Sequence, residues 1–159
     1  MIELQNLSKT FQSNGKDVKA VDSVSLTVNE GEICVFLGPS GCGKSTTLKM
    51  INRLIKPTSG KILINGEDTT DLDAVTLRRN IGYVAQDVTL FYGTLRDNIA
   101  IGAPYADDAA ILAAAEAGGL MEFVNRHPDG FDMMIGERGE SLSGGQRQGV
   151  AIARAFLMD

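Results

Sequence analysis

The stretch Gly38-Pro39-Ser40-Gly41-Cys42-Gly43-Lys44-Ser45 decides the fold, because it matches the pattern G-x-x-x-x-G-K-S/T. Before it, residues 33–37 form a continuously apolar run, which predicts a strand buried on both faces. After it, residues 44–54 predict a helix. A strand, a glycine-rich loop and a helix in this order are the context in which the pattern is specific for phosphate groups.

Each residue type in this loop has a physical reason to face a phosphate chain. Glycines let the backbone adopt positive φ and turn successive N–H groups inward, and the following helix adds its positive dipole end. Lys44 supplies a charge for the phosphates, and Ser45 offers a hydroxyl to Mg²⁺. A glycine turn that merely joins strand to helix needs neither residue. We therefore predict ATP and Mg²⁺ as cofactors, Lys44 as a catalytic residue, Ser45 as a metal ligand, and these nucleotide-binding residues: Gly38, Ser40, Gly41, Cys42, Gly43, Lys44, Ser45 and Thr46.

The composition is that of a globular chain with an acidic balance. The 159 residues carry a formal net charge of −5 and are 43% hydrophobic. A nucleic-acid partner is not expected, because duplex binding needs clustered Lys and Arg. Two cysteines are too few for a disulfide framework and predict reduced thiols in the cytosol. There is no signal-peptide pattern and no run of about 18 apolar residues, so any membrane link is expected to go through another domain or subunit.

The order of the patterns along the chain predicts an α/β fold. Residues 2–7 and 18–28 predict antiparallel strands, and residues 61–65 and 81–85 predict two more, the last in the core. A short helix is expected after Asp73. From residue 94 onward the patterns are helical and Ala-rich, at residues 94–99, 107–117 and 120–125, and Ser143 is expected to cap a helix that ends near residue 158.

A second helix start also suits an anion, although it has no lysine. In Leu142-Ser143-Gly144-Gly145-Gln146, Ser143 is a good N-cap, and the two glycines leave the first-turn N–H groups open to a phosphate oxygen. The alternative is an ordinary serine-capped helix, in which two glycines would only cost stability.

Together with the phosphate loop, L-S-G-G-Q resembles the signature motif of ABC transporter ATPases, whose motif order almost the whole chain follows. The resemblance implies a P-loop NTPase fold with an antiparallel β subdomain and a helical subdomain. It also implies a head-to-tail pair of domains, in which Ser143, Gly144, Gly145 and Gln146 touch the nucleotide held by the second nucleotide-binding domain. Transmembrane domains of a transporter are the further partners, at the cytoplasmic face of the membrane.

The resemblance assigns three more residues. Phe11 stands where the family often has an aromatic residue that stacks on adenine, although it could simply cover the β subdomain. Val18 would add an apolar contact. Gln86 stands at the place of the family's Q-loop glutamine. It would act as a catalytic residue that contacts Mg²⁺, as a ligand, or the attacking water. The alternative is that Gln86 is a polar residue that merely ends a strand. His127 is interpreted as a surface turn residue.

The two halves of the chain resemble different branches of the family. Met50-Ile51-Asn52-Arg53-Leu54 is similar to osmoprotectant (glycine betaine) importers, whereas Phe91-Tyr92-Gly93-Thr94 and Gly136-Glu137-Arg138-Gly139 are similar to exporters of the type I secretion kind. This division raises the hypothesis of a mosaic, natural or constructed, joined near residues 84–86. The direction of transport stays open.

The family pattern continues past the signature helix into a strand that ends in an Asp for Mg²⁺ and a Glu for water, whereas this sequence stops at Asp159. We therefore expect an incomplete core sheet and weak hydrolysis by this chain alone. The expected division is 1–86 for the β subdomain and nucleotide core, 87–141 for the helical subdomain, and 142–159 for the signature helix. The alternatives are a nucleotide-binding module without catalysis and, less favoured, a P-loop kinase.

Overall fold

The computed structural model describes residues 1–13, 15–136, 139 and 141–157. The chain divides into two compact units, Met1–Arg78 and Arg79–Asp159. Each unit has its own hydrophobic core. The subdomain boundary that we expect after residue 86 stays a prediction.

The first unit is an antiparallel sheet with a helix packed on it. The strands pair in the order β2-β1-β3-β4, and the helix that follows the glycine-rich loop is α1. The bounds of its elements are β1 (Ile2–Ser13), β2 (Lys16–Val28), α1 (Lys44–Ile51), β3 (Ser59–Ile64), β4 (Glu67–Asp68) and, reaching the next unit, α2 (Ala74–Arg79).

The β1–β2 pairing follows from alternation in the sequence. Val24, Leu26 and Val28 are half-buried, and the serine and threonine residues between them are exposed. The hydrophobic core of this unit is a cluster of the buried side chains of Leu4, Leu7, Val21, Met50 and Ile62. The antiparallel strands predicted at residues 2–7 and 18–28 are confirmed, and the first extends further than expected.

The second unit is mainly helical, around a two-stranded pairing of β5 with β6. Its elements are β5 (Gly93–Thr94), α3 (Leu95–Ile99), a 3-10 turn (Ala100–Gly102), α4 (Asp108–Ala117), α5 (Met121–Arg126), a 3-10 turn (Gly130–Asp132), β6 (Met134–Ile135) and α6 (Gly144–Phe156). The helices predicted in this region are confirmed, with shifts at their ends.

Side-chain caps explain where most of these helices begin. Asp73 accepts hydrogen bonds from the backbone N–H groups of Val75 and Thr76, and Asp107 accepts one from Ala110. Thr94 and Asp97 form a reciprocal capping box at α3. Hydrogen bonds from the Thr94 side chain and backbone N–H lower the pKa of Asp97.

A close backbone approach holds α4 against α6. A Cβ at Gly118 would lie 2.4 Å from the carbonyl oxygen of Gly149, and a Cβ at Gly149 would lie 2.7 Å from that of Gly118. Only glycine fits at both positions, because a side chain on either would force the two elements apart.

Two predicted core strands were wrong. Residues 33–37 have no strand assignment, and Ile33, Val35 and Leu37 are 92%, 68% and 88% exposed. Residues 81–85 likewise form no strand. The physical reason is that a strand requires a hydrogen-bonded neighbour, and neither segment has a ladder partner among the described residues. The apolar run predicted burial on both faces, which was wrong as well, because the run carries no information about the partner that would cover it. The helix predicted at residues 44–54 also ends early, at Ile51, and Arg53 adopts φ 50°.

Three further expectations concern the single histidine, the two cysteines and membrane-spanning helices. His127 lies in a turn, where its Nδ1 accepts a hydrogen bond from the backbone N–H of Asp129. Cys34 and Cys42 are free thiols. None of the helices in the described ranges is long and apolar enough to cross a membrane.

Candidate functional site

The loop between residues 38 and 43 takes a conformation that glycine makes possible. Gly41 and Gly43 have φ of 82° and 91°, and Gly38 has 153°. Residues with side chains rarely adopt such angles. The glycines of the motif are therefore required by the backbone path, as the sequence predicted.

Gly43 is also fixed by its neighbours. A Cβ at this position would lie 2.2 Å from the carbonyl oxygen of Ala20 in β2. On its other side, the Gly43 carbonyl accepts hydrogen bonds from the Thr47 N–H at 2.8 Å and the Thr47 hydroxyl at 3.0 Å. The loop is thus held between strand β2 and the first turn of α1.

The N-terminus of α1 is not covered by a side chain. Its N-cap is Gly43, so no side-chain cap hydrogen bond forms. The first-turn N–H groups are then available to a ligand, together with the positive end of the helix dipole. The Ser45 side chain is exposed on this first turn and has no hydrogen-bond partner among the described residues. These donors, with a hydroxyl oxygen beside them, fit a phosphate chain with its Mg²⁺.

The Lys44 ammonium lies against the loop that precedes it. Its Nζ donates to the carbonyl oxygens of Gly38 at 2.7 Å and Pro39 at 2.8 Å, and it lies 3.3 Å from Cys42 Sγ. Lys44 therefore closes the loop on itself. A phosphate oxygen would compete with neutral carbonyls for this ammonium and would form the stronger, charge-assisted bond.

A cleft of about 590 Å³ opens beside the loop. It is bounded by the β2 edge on one side and by residues 35–37 and the loop on the other. Lys19 and Asp22 line it and form an ion pair at 2.9 Å. Its lining residues include Ala20, Val21, Gly41, Cys42, Gly43, Lys44 and Thr47. Four of the eight predicted loop residues thus line an open cleft: Gly41, Cys42, Gly43 and Lys44.

Phe11 and Val18 are direct partners in the β1–β2 ladder. Partners in a ladder point to the same side of the sheet, and these two are 37% and 50% exposed. Val18 is two residues from Ala20, against which Gly43 packs, so roughly 7 Å of strand separates the two positions. Strand β2 therefore carries Val18 of this apolar pair and also packs against the loop, at Ala20.

The second candidate anion site begins α6. Ser143 Oγ accepts from the Gln146 N–H at 3.2 Å, and Gln146 Oε1 accepts from the Ser143 N–H at 2.8 Å. The predicted N-cap at Ser143 is confirmed. Gly144 and Gly145 are exposed, and a Cβ at either would meet nothing within 4 Å. This helix start is open to a ligand but already has its own cap.

Gln86 lies in the second unit, exposed and at a bend after residues 81–85. Among the described residues, none forms a hydrogen bond or ion pair with its side chain. In the exporter-like loop, Glu137 and Arg138 lie outside the described residues, and Gly139 has φ 64°.

Sequence reasoning missed Arg154, which connects α6 to the segment after Gln86. Its guanidinium donates to the carbonyl oxygens of Asn98 at 2.6 Å and Thr89 at 2.7 Å, and to Asn98 Oδ1 at 3.1 Å. It also lies 5.9 Å from the ring centroid of Phe91. Burial lowers the pKa of Arg154. The available signal was its position four residues after Val150, on the buried face of the helix.

Known proteins similar to this chain identify its family. The family model for the ABC transporter matches residues 21–159. The osmoprotectant import ATP-binding protein OsmV of Salmonella typhimurium is 50% identical, over all of this chain and 41% of its own length. An ATP-dependent lipid A-core flippase of Aromatoleum aromaticum is 49% identical, over 98% of this chain and 26% of its own.

A solved structure of a bacterial Atm1-family ABC exporter with ATP bound aligns with a TM-score of 0.91 and 36% identity. The alignment covers 99% of this chain and 27% of that one. The chain thus spans less than half the length of each of these relatives. They include both an import protein and an exporter.

Proposed function

Because the chain belongs to the ABC transporter family, as an ATP-binding domain with that fold, we propose that it binds ATP with Mg²⁺ on the loop of residues 38–46. The observation that carries this proposal is the uncapped start of α1 beside the Lys44 ammonium. The backbone N–H groups and Lys44 would hold the β- and γ-phosphates, and the Ser45 hydroxyl would be a ligand of Mg²⁺. Phe11 and Val18 would lie under the adenine.

Further roles follow from the family. Gln86 would contact Mg²⁺ or the attacking water. Ser143, Gly144, Gly145 and Gln146 would touch the γ-phosphate of a nucleotide held by a second nucleotide-binding domain, through the open N–H groups of α6. Residues 87–141 would contact transmembrane domains, so that the chain works at the cytoplasmic face of the membrane. ATP binding and hydrolysis would then drive transport of a substrate that the membrane partners select.

A titration of the chain with MgATP tests the site. We expect Lys44→Ala to weaken binding by about 10- to 100-fold, because a hydrogen bond to a charged group contributes about 1.5–3 kcal/mol. Lys61→Ala is the matched control, since Lys61 is exposed on β3 and lies 3.9 Å from its nearest carboxylate. Equal affinity for MgATP in the wild type and Lys44→Ala would show that the loop is not part of the binding site.

Phosphate release measured in the same samples tests catalysis. ABC ATPases hydrolyse ATP as a family, and their Asp and Glu for Mg²⁺ and water follow the signature helix. We propose that the 159-residue polypeptide alone binds ATP but turns it over more slowly than about 1 s⁻¹, the low end of ordinary enzymes. Faster turnover by this polypeptide would show that other residues activate the water.

A further inference from the structure

Lys9 lies on the strand that carries Phe11, two residues before it. Residues two apart on a strand share a face. The Lys9 Nζ lies 5.0 Å from the centroid of the Phe11 ring, within the range of a cation–π interaction. The ammonium therefore occupies one face of the aromatic ring, and the exposed part of the ring remains beside Val18.

A second contact fixes the position of this ammonium. Lys9 Nζ donates to the carbonyl oxygen of Lys56 at 2.7 Å. The neighbouring backbone is tied to the same segment, because the Thr58 N–H donates to Ser8 O at 2.8 Å and the Thr10 N–H donates to Thr58 Oγ1 at 3.0 Å. Lys9 is thus held between the ring and the chain that follows α1.

The usual explanation for a surface lysine does not apply here. Within the part of the chain that the structure describes, no carboxylate forms an ion pair with Lys9, whereas Lys19 and Lys61 each have one. An exposed lysine side chain loses rotamer entropy when it is held in one place. The contact that Lys9 makes instead of an ion pair is with the Phe11 ring, whose orientation it restrains.

We infer that Lys9 is a positioning residue for the base of the bound nucleotide: it holds the Phe11 ring by one face and leaves the other face for the purine. The inference rests on the proposed function, in which Phe11 and Val18 lie under the adenine. Lys9 acts through Phe11. It therefore contributes to the affinity for a nucleotide and not to the affinity for a phosphate chain that lacks a base.

Calorimetric titrations with MgATP and with magnesium tripolyphosphate separate these ligands. We expect Lys9→Met, which keeps the aliphatic stem, to weaken ATP binding by roughly two- to fivefold and Lys9→Arg to retain it, since Arg also lies over aromatic rings. Tripolyphosphate binding should not change. In a Phe11→Ala background, Lys9→Met should have no further effect on ATP.

The opposite results are equally clear. If Lys9→Met weakens ATP and tripolyphosphate alike, or if its effect persists without Phe11, Lys9 acts as a general positive charge and the inference is wrong. If ATP binding depends on Lys44 but not on Lys9, the inference alone is wrong. If the wild type does not bind ATP, the proposed function is wrong as well. Lys61→Ala should match the wild type throughout.

Discussion

Helices α1 and α6 both begin at glycine-rich sequences, but their first-turn N–H groups find hydrogen-bond acceptors in different ways. At α1, Gly43 provides no cap, and the first-turn N–H groups are left for a ligand beside the Lys44 ammonium. At α6, Ser143 and Gln146 cap each other, and the nearby Arg147 guanidinium donates to the carbonyl oxygens of Leu142 and Gly139. The difference supports the proposal that a ligand binds at α1, because the first turn of α6 already has a cap of its own and that of α1 has none.

The largest effect expected from this comparison is at Gly43. Gly43→Ala would place a Cβ against the Ala20 carbonyl oxygen at an unfavourable φ, and we expect the protein to lose about 3 kcal/mol of stability, from strain and overpacking together. Urea denaturation measures the loss. Gly41→Ala is the control: its φ is also positive, but a Cβ there meets nothing within 4 Å, so it should cost only about 1 kcal/mol. Equal losses would mean that contact with β2 does not hold the loop.

At α6 the expected effect of a comparable change is smaller. Ser143→Ala removes the cap of the helix, and we expect it to reduce stability by about 1 kcal/mol. Because α6 is not the primary nucleotide site in our proposal, ATP affinity of the single chain should stay the same. A loss of affinity as large as that of Lys44→Ala would contradict the contrast between the two helix starts.

A substitution at Gly145 should act in the opposite direction to one at Gly43. The position is helical and a Cβ has free space, so Gly145→Ala should stabilise the protein by roughly 0.5 kcal/mol, because alanine loses less backbone entropy. Urea denaturation of the purified variant can resolve the sign. Destabilisation would indicate that the first turn of α6 has a neighbour that restricts it.

The smallest expected effect concerns the two capping boxes. Only the box at α3 contains a carboxylate, that of Asp97, whose charge changes with pH. Hydrogen bonds from Thr94 lower the pKa of Asp97, so the carboxylate stabilises the fold above its unfolded pKa of about 3.9, and this contribution is lost as pH falls through the lower, folded pKa. We expect Asp97→Asn to make the thermal melting temperature less dependent on pH below about pH 4.

Gln146, at the equivalent position of α6, has no charge to lose. Gln146→Ala should therefore lower the melting temperature without changing its dependence on pH. An unchanged acid profile in Asp97→Asn would show that the Thr94 hydrogen bonds do not favour the charged form of Asp97.

The features that the sequence predicted well are local ones. The glycine loop, the β1–β2 alternation and the helix starts at Asp73 and Ser143 each depend on residues a few positions apart. The predicted strands at residues 33–37 and 81–85 failed because a strand depends on a partner that may be distant in sequence. Lys9 and Arg154 were missed for a related reason: their partners are a ring and carbonyl groups that only the folded chain brings near.

Arg154 anchors α6 near its C-terminal end. Its planar guanidinium joins the helix to Thr89 and Asn98, and Thr89 follows Gln86 closely along the chain. With a rise of 1.5 Å per residue, Ser143 lies roughly 16 Å from Arg154 along the helix axis. A tilt of about 5° about the guanidinium would therefore move Ser143 by roughly 1.4 Å, which is enough to make or break a hydrogen bond. A small shift of the segment after Gln86, passed on through these hydrogen bonds, would thus be enlarged at Ser143.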